Sequence, residues 1–143
     1  MVFIKNRKAK HDYFVIEEFE AGLVLHGSEV KSIREGRVDL KGSWGYIRNG
    51  EVFINCSISK WGSSSFNHEE TRPRKLLLHK REIEKISKAM QLTQGLTLVP
   101  LSFYLKNGKI KCNLGLCSGK HKYDKRNDLK ERSIKRDLER GRW

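Results

Sequence analysis

Residues 101–116 read LSFYLKNGKIKCNLGL, and this stretch carries the strongest structural signal in the chain. Asn107-Gly108 separates two runs in which apolar and polar residues alternate. An Asn-Gly pair between such runs predicts a β-hairpin, because both residues accept a positive φ. The second run has one apolar and one polar face, so one face is expected to be buried, with Ile110, Cys112, Leu114 and Leu116 alternating with Lys111, Asn113 and Gly115.

The same turn occurs earlier, where Asn49-Gly50 joins Trp44–Arg48 to Glu51–Ile54. Residues 12–16 and 21–25 also have the composition of strands, with the charged residues 17–20 predicted to separate them. Gly22 in the second of these indicates a bulge or a close approach of two backbones. A further strand is predicted over 96–105, and Pro100 places it at a sheet edge or a bulge.

Two helices are predicted between these strands. The first spans 29–35, with Ser28 as N-cap and Gly36 as the stop. The second runs from Lys80 to Leu92 after a polar loop at 62–75, and its apolar face consists of Ile83, Ile86, Ala89 and Met90. Short strands, tight hairpins and short helices predict a mainly β fold: a small closed antiparallel OB-like β-barrel of five or six strands. An open α+β sheet is the alternative.

The net charge of +13 over 143 residues favours a polyanionic partner, namely RNA, DNA or an acidic membrane. The chain has no apolar run long enough to span a bilayer and no signal peptide, so we expect a cytoplasmic protein. Its three cysteines form no CxxC pair, which predicts reduced thiols. Cys112 and Cys117 have opposite parity on one strand, which argues against a shared metal.

The last stretch, 119–143, reads GKHKYDKRNDLKERSIKRDLERGRW and holds ten Lys and Arg against five Asp and Glu. Its three aliphatic residues do not make a stripe that could hold a helix against a core. We therefore divide the chain into a barrel, 1–118, and a basic C-terminal tail, 119–143, that is disordered when free and helical on a polyanion. The alternative is a frayed, solvated terminus.

No catalytic motif stands out in this sequence. The histidines lack metalloprotease or zinc-finger spacing, and the serines and glycines lack hydrolase or nucleotide-binding contexts. A small ribonuclease using His68 and Glu69 is the enzymatic alternative. Basic clusters at 5–10, at 72–81 and in the tail, with tyrosines near them that could stack on bases, favour nucleic-acid binding instead: Tyr13, Tyr104 and Tyr123.

Four motifs in order resemble the family of the SsrA-binding protein, or small protein B. They are Asn6–Tyr13, Glu20–Leu23 with Gly27–Ser32, Arg74–His79, and Gly119-Lys120 with Tyr123–Arg126. The resemblance implies an OB-like barrel with a basic tail, and neither a catalytic site nor a cofactor. It also implies binding of transfer-messenger RNA and its delivery, with elongation factor Tu acting through the charged RNA, to ribosomes stalled without a stop codon.

The residues expected to bind RNA combine matched family positions with nearby basic and aromatic residues: Asn6, Arg7, Lys8, His11, Tyr13, Glu20, Lys31, Lys75 and Leu77. The tail residues expected to face the decoding centre and the messenger channel of the ribosome are Gly119, Lys120, Tyr123, Asp124, Lys125, Arg126, Ile134, Lys135 and Arg136. A monomer without membrane contact is expected. The alternative within binding proteins is a ribosomal protein or translation factor held by ribosomal RNA.

Two of these residues carry specific hypotheses. Glu20 is a carboxylate in a basic protein, so it would accept from a base amino group or a ribose hydroxyl, or orient Lys31 or His11. Strand parity predicts that Leu76 and Leu78 are buried while Leu77 faces solvent; the alternative is that all three are buried. The chain departs from the family pattern at 43–46, at Pro73, in its short basic arm before Asn6 and in its early C-terminal end.

Overall fold

The computed structural model describes residues 1–62 and 67–120. In these residues the elements follow the order β1 (Val2–Lys5), α1 (Ala9–Asp12), β2 (Tyr13–Leu23), α2 (Gly27–Arg34), β3 (Val38–Arg48), β4 (Glu51–Ile58), β5 (Arg74–Leu77), α3 (Lys80–Leu92), β6 (Leu96–Lys106) and β7 (Lys109–Gly119). Within the described ranges no helix is both long and apolar enough to cross a membrane.

The strands form one antiparallel sheet that closes on itself. Their order is β1-β6-β3-β4-β5-β2-β7, and β6 also pairs with β7, so six strands make a closed barrel and β1 lies outside it on β6. β3 and β6 pair where Gly45 lies opposite Leu98. The two strands are so close there that a Cβ on Gly45 would lie 2.9 Å from the Cβ of Leu98. Glycine therefore permits the closure, and the predicted closed barrel is confirmed over the open sheet.

Both Asn-Gly hairpins are confirmed. Asn49 and Asn107 each have a φ of 52°, and Gly50 and Gly108 each have a φ of 74°. The alternation on β7 is also as predicted, because its apolar residues enter the main core while Cys117 packs in a second cluster with Ala9 and Val99. The two cysteines of β7 thus lie on different faces.

The prediction of two strands separated by residues 17–20 is wrong, because 13–23 is one continuous strand. β2 pairs with β7 from Tyr13 to Gly22, and a register shift between Val15 and Glu17 adjusts the alternation. Beyond that shift Phe19 and Ala21 point inward while Glu18 and Glu20 point outward. The charged residues therefore occupy the solvent face of a strand rather than a break in it. On β6, Pro100 lies at a register shift, as predicted.

Two other boundaries differ from the prediction. α2 begins at Gly27 with His26, not Ser28, as N-cap, because Glu29 Oε1 accepts a hydrogen bond of 2.7 Å from the His26 backbone N–H. The predicted loop at 62–75 ends earlier, since Arg74 and Lys75 belong to β5. α3 spans the predicted residues, with Ile86 and Ala89 buried.

Candidate nucleic-acid interface

On the outer face of β2, β5, β6 and β7, five side chains that are far apart in the sequence lie close together. In the strand register Gly22 lies opposite both Leu77 and Lys111, and Lys111 lies opposite Tyr104. Glu20 is two residues before Gly22 on the same face. We call this surface the Glu20 patch, and it consists of Glu20, Leu77, Tyr104, Lys106 and Lys111.

Glu20 is the one acidic residue among the five residues of this patch. Its Oε2 accepts a hydrogen bond of 3.1 Å from Lys106 Nζ, and both side chains are about half exposed. This bond, together with the nearby Tyr104 hydroxyl, lowers the pKa of Glu20 below its ordinary value. Burial and the neighbouring Glu20 charge raise the pKa of Tyr104, so its phenol keeps its proton. Glu20 is thus an ionised acceptor at the surface, and its partners are on β6 instead of being Lys31 or His11.

Leu77 supplies an apolar contact beside this charged pair. Its side chain is 53 % exposed, whereas that of Leu76 is 1 % exposed, so the predicted outward orientation is confirmed. Leu77 lies over Gly22, where a Cβ would be 3.3 Å from the Leu77 Cβ. The predicted bulge or close backbone approach at Gly22 is therefore not found: the atoms nearest to it are those of the Leu77 side chain, for which the glycine makes room. An exposed leucine next to an ionised acceptor and lysines suits an RNA base and its ribose.

Lys75, two residues before Leu77 on β5, extends this surface toward β4. It lies opposite Phe53 in the register and forms an ion pair with Glu51. Both side chains are about two-fifths exposed, so the lysine is available to a phosphate. Lys31 does not belong to these strands; it lies on α2, where it is exposed.

The predicted N-terminal residues form a second group around α1. Arg7, Lys8 and His11 are exposed there. A groove of about 360 Å³ opens beside them, and its lining includes Lys5, Arg7, Lys10, His11, Glu18 and Asn113. This groove has an excess of cationic side chains, so it suits an anionic ligand.

Asn6 differs from its neighbours because its side chain turns inward and is 8 % exposed. Its Nδ2 donates to the carbonyls of Leu40 and Pro100, each at 3.0 Å, and its Oδ1 accepts from the Ala9 backbone N–H at 3.3 Å. The side-chain amide is therefore used inside the protein. Asn6 ties the turn before α1 to the barrel and so positions Arg7 and Lys8.

The first residues of the tail are anchored beside α1. Gly119 ends β7 opposite Tyr13, and the Lys120 backbone N–H donates to the Asp12 carbonyl at 2.9 Å. Lys120 Nζ lies 4.7 Å from the centroid of the Phe14 ring and donates to the Lys10 carbonyl at 2.7 Å. Tyr13 is partly buried against the second core cluster. The other predicted tail residues lie outside the described residues: Tyr123, Asp124, Lys125, Arg126, Ile134, Lys135 and Arg136.

Two arginines assigned from sequence to the basic cluster at 72–81 have an internal function instead. Arg74 is fully buried, and its Nε lies 2.6 Å from Oε2 of the equally buried Glu29. Its guanidinium also donates to the carbonyls of Cys56, Glu69 and Glu70. Arg72 binds both oxygens of the same carboxylate. Burial alone would raise the pKa of Glu29, but the bonds from Arg72, the His26 backbone and Arg74 lower it.

The proposed catalytic base of the ribonuclease alternative is also internal. His68 is buried, with Nδ1 2.7 Å from Ser28 Oγ and Nε2 2.9 Å from the Ile58 carbonyl. Both ring nitrogens are therefore engaged within the protein, and the alternative loses its base. Within the described ranges no three His, Cys, Asp or Glu residues are grouped as a metal site would require.

Comparison with known proteins agrees with this geometry. The family model described as "SmpB protein" matches residues 3–142. The SsrA-binding protein of Clostridium tetani (strain Massachusetts / E88) is 56 % identical over 138 residues, which is 95 % of this chain and 88 % of that protein. The SsrA-binding protein of Bacillus cereus (strain ATCC 10987 / NRS 248) is 54 % identical over 141 residues, with 97 % and 90 % covered.

A solved structure gives the same result. A chain of "tmRNA-SmpB: a journey to the center of the bacterial ribosome" superposes with a TM-score of 0.69 at 41 % identity, covering 96 % of this chain and 94 % of that one. The motifs, the closed barrel and these matches lead to one conclusion: the chain belongs to the SmpB family.

Proposed function

We propose that this chain binds transfer-messenger RNA on the outside of its barrel and brings it to stalled ribosomes for trans-translation. The observation that carries the proposal is the Glu20 patch: an ionised acceptor, an exposed leucine and lysines meet on one face of a barrel of this family. Such a surface offers hydrogen-bonding, apolar and ionic contacts at once, which folded RNA requires and a phosphate-only site does not.

The protein acts by binding in this proposal and has no reaction of its own. The Glu20 patch, with Lys75 and Lys31, contacts the RNA. The exposed residues around α1, with Tyr13, form a further RNA-contacting group. Asn6 positions that group from within. Elongation factor Tu joins indirectly through the charged RNA, the protein works as a monomer, and its place is the cytoplasm because that is where its partners are.

The tail has a separate role in this proposal. Gly119 and Lys120 begin it at the edge of the barrel, beside α1. From there the basic residues of 121–143 reach the RNA-lined decoding region and messenger channel, where the tail becomes helical. The chain thus divides into the barrel, 1–118, and the tail, 119–143, and Gly119, the last residue of β7, lies at this boundary.

The experiment that tests the function is recovery of RNA bound to the tagged protein, followed by sequencing. We expect one enriched species of transfer-messenger type. Ribosomal RNA in bulk would support the ribosomal-protein alternative instead, and degraded RNA in an incubation with pure protein would support a nuclease.

The division of labour is tested by truncation after Lys120, which leaves β7 and its contacts to Asp12 and Lys10 intact. The truncated protein is expected to bind free RNA with only modestly reduced affinity, yet to fail in a reconstituted reaction that tags stalled nascent chains. A full-length variant with acidic residues in place of Lys135 and Arg136 should also fail to tag stalled nascent chains. Normal tagging by the truncated protein would contradict the tail's role.

A further inference from the structure

An aromatic strip covers the outer face of the β3–β4 hairpin and adjoins Lys75 of β5. The ring centroids of Trp44 and Tyr46 are 5.3 Å apart. Those of Tyr46 and Phe53 are 5.7 Å apart, and the planes of these two rings differ by only 22°. We call these three residues the Trp44 strip.

The Trp44 strip does not fill the core. The alternate residues of the same strands do that, since Val52 and Ile54 are completely buried and Gly45 faces Leu98 of β6. Trp44 itself is 46 % exposed. Exposing large apolar rings to water is unfavourable, and these rings do not add to the core. A row of exposed rings therefore indicates a binding site for a ligand with flat faces.

Cations border the Trp44 strip. Arg48 follows Tyr46 on the same face of β3, and Lys75 lies opposite Phe53 on β5. Glu51 is opposite Arg48 and paired with Lys75, so it neutralises only one of the two. A row of aromatic rings with cations beside it on a basic protein is complementary to bases joined by phosphates.

We propose that the Trp44 strip stacks the bases of an unpaired, single-stranded RNA segment, while Arg48 and Lys75 contact its phosphates. Paired RNA keeps its base faces inside the helix, so only an unpaired segment can present them to the rings. The strip lies on β3 and β4, which are paired neighbours in the closed barrel, so its three rings share one outer surface. The three rings belong to none of the surfaces assigned above to transfer-messenger RNA, although Lys75 borders both the strip and the Glu20 patch.

The test uses an unpaired oligoadenylate of about twelve nucleotides and the full chain, with binding read by anisotropy of the labelled strand. Trp44→Leu keeps an apolar side chain but removes the ring, and we expect its affinity to fall about 5- to 150-fold, the range for losing one stacked base. Trp44→Tyr should restore most of the affinity. Leu92→Ala, which shortens an exposed leucine on α3, is the matched control and should bind as the unchanged protein does.

An abasic strand of the same length separates stacking from charge, because it has the phosphates without the bases. It should bind the unchanged protein and Trp44→Leu equally. The proposal is overturned if Trp44→Leu binds oligoadenylate as tightly as the unchanged protein, or if the abasic strand shows the same loss. It is also overturned if sedimentation shows self-association that Trp44→Leu abolishes, since the strip would then be an interface between two copies.

Discussion

Glu29 and Glu20 are both glutamates bound to cations, yet one is buried and the other lies on the surface. Glu29 is fully buried between α2 and β5 and is held by two arginines and a backbone N–H. Glu20 is on the outer face of β2 and is bound by one lysine, Lys106. In the first case both carboxylate oxygens are used within the chain, so the network fixes α2 against β5 and breaking it would leave a buried charge. In the second the carboxylate keeps solvent-facing acceptor capacity, so it is free to bind a partner.

The largest effect is expected from Glu29→Gln. This change leaves the guanidinium of Arg74 buried without its counter-charge, and breaking a buried pair in this way costs about 3–5 kcal/mol. Urea unfolding should show a loss of that size. Glu84→Gln, on the exposed face of α3, is the control and should change little. A loss at Glu29 no larger than the control's would show that the buried network does not hold α2 to β5.

The next largest contrast is between Leu76 and Leu77, which are adjacent in sequence but lie inside and outside the barrel. Leu76→Ala should cost about 2–5 kcal/mol of unfolding free energy, because it leaves a cavity in the core. Leu77→Ala should leave stability nearly unchanged and weaken RNA binding. Thermal melts read beside binding curves test both, and a large drop in melting temperature for Leu77→Ala would contradict the assignment of its face.

Acid should separate the two glutamates further. The pKa of Glu29 is lowered on folding from an ordinary value of 4.5, so its contribution to stability is present above that pH and is lost as the pH falls through the folded pKa. Unfolding free energy measured from pH 6 to pH 3 should fall less steeply for Glu29→Gln than for the unchanged protein. Identical slopes would mean that the folded and unfolded states bind the same number of protons at this residue.

The elements that sequence reasoning predicted well depend on local signals. The two Asn-Gly turns, the outward position of Leu77 and the extent of α3 all follow from neighbouring residues. The contacts that define the two glutamates do not. Arg74 and Glu29 are 45 residues apart, and Lys106 and Glu20 are 86 apart.

Such pairs depend on which strands become neighbours when the barrel closes, and local sequence patterns do not predict this strand order. Arg74 therefore looked like part of a basic surface although it is buried. Asn6 similarly looked exposed in a run of lysines, yet its partners Leu40 and Pro100 come from distant strands. Alternation would have indicated Tyr104 and Lys106 as outward neighbours of Glu20, had the pairing of β2 with β7 been known.

The most direct test of the account is RNA affinity in Glu20→Gln. The variant keeps the shape of the side chain and removes a negative charge from a protein of net charge +13, so charge alone predicts tighter binding to any RNA. We predict the opposite, because a charge-assisted acceptor becomes a neutral one: transfer-messenger RNA should bind about tenfold more weakly. The melting temperature should not change, and Glu84→Gln should bind with equal or slightly higher affinity. Unchanged or tighter binding by Glu20→Gln would contradict the claim that this exposed glutamate recognises RNA.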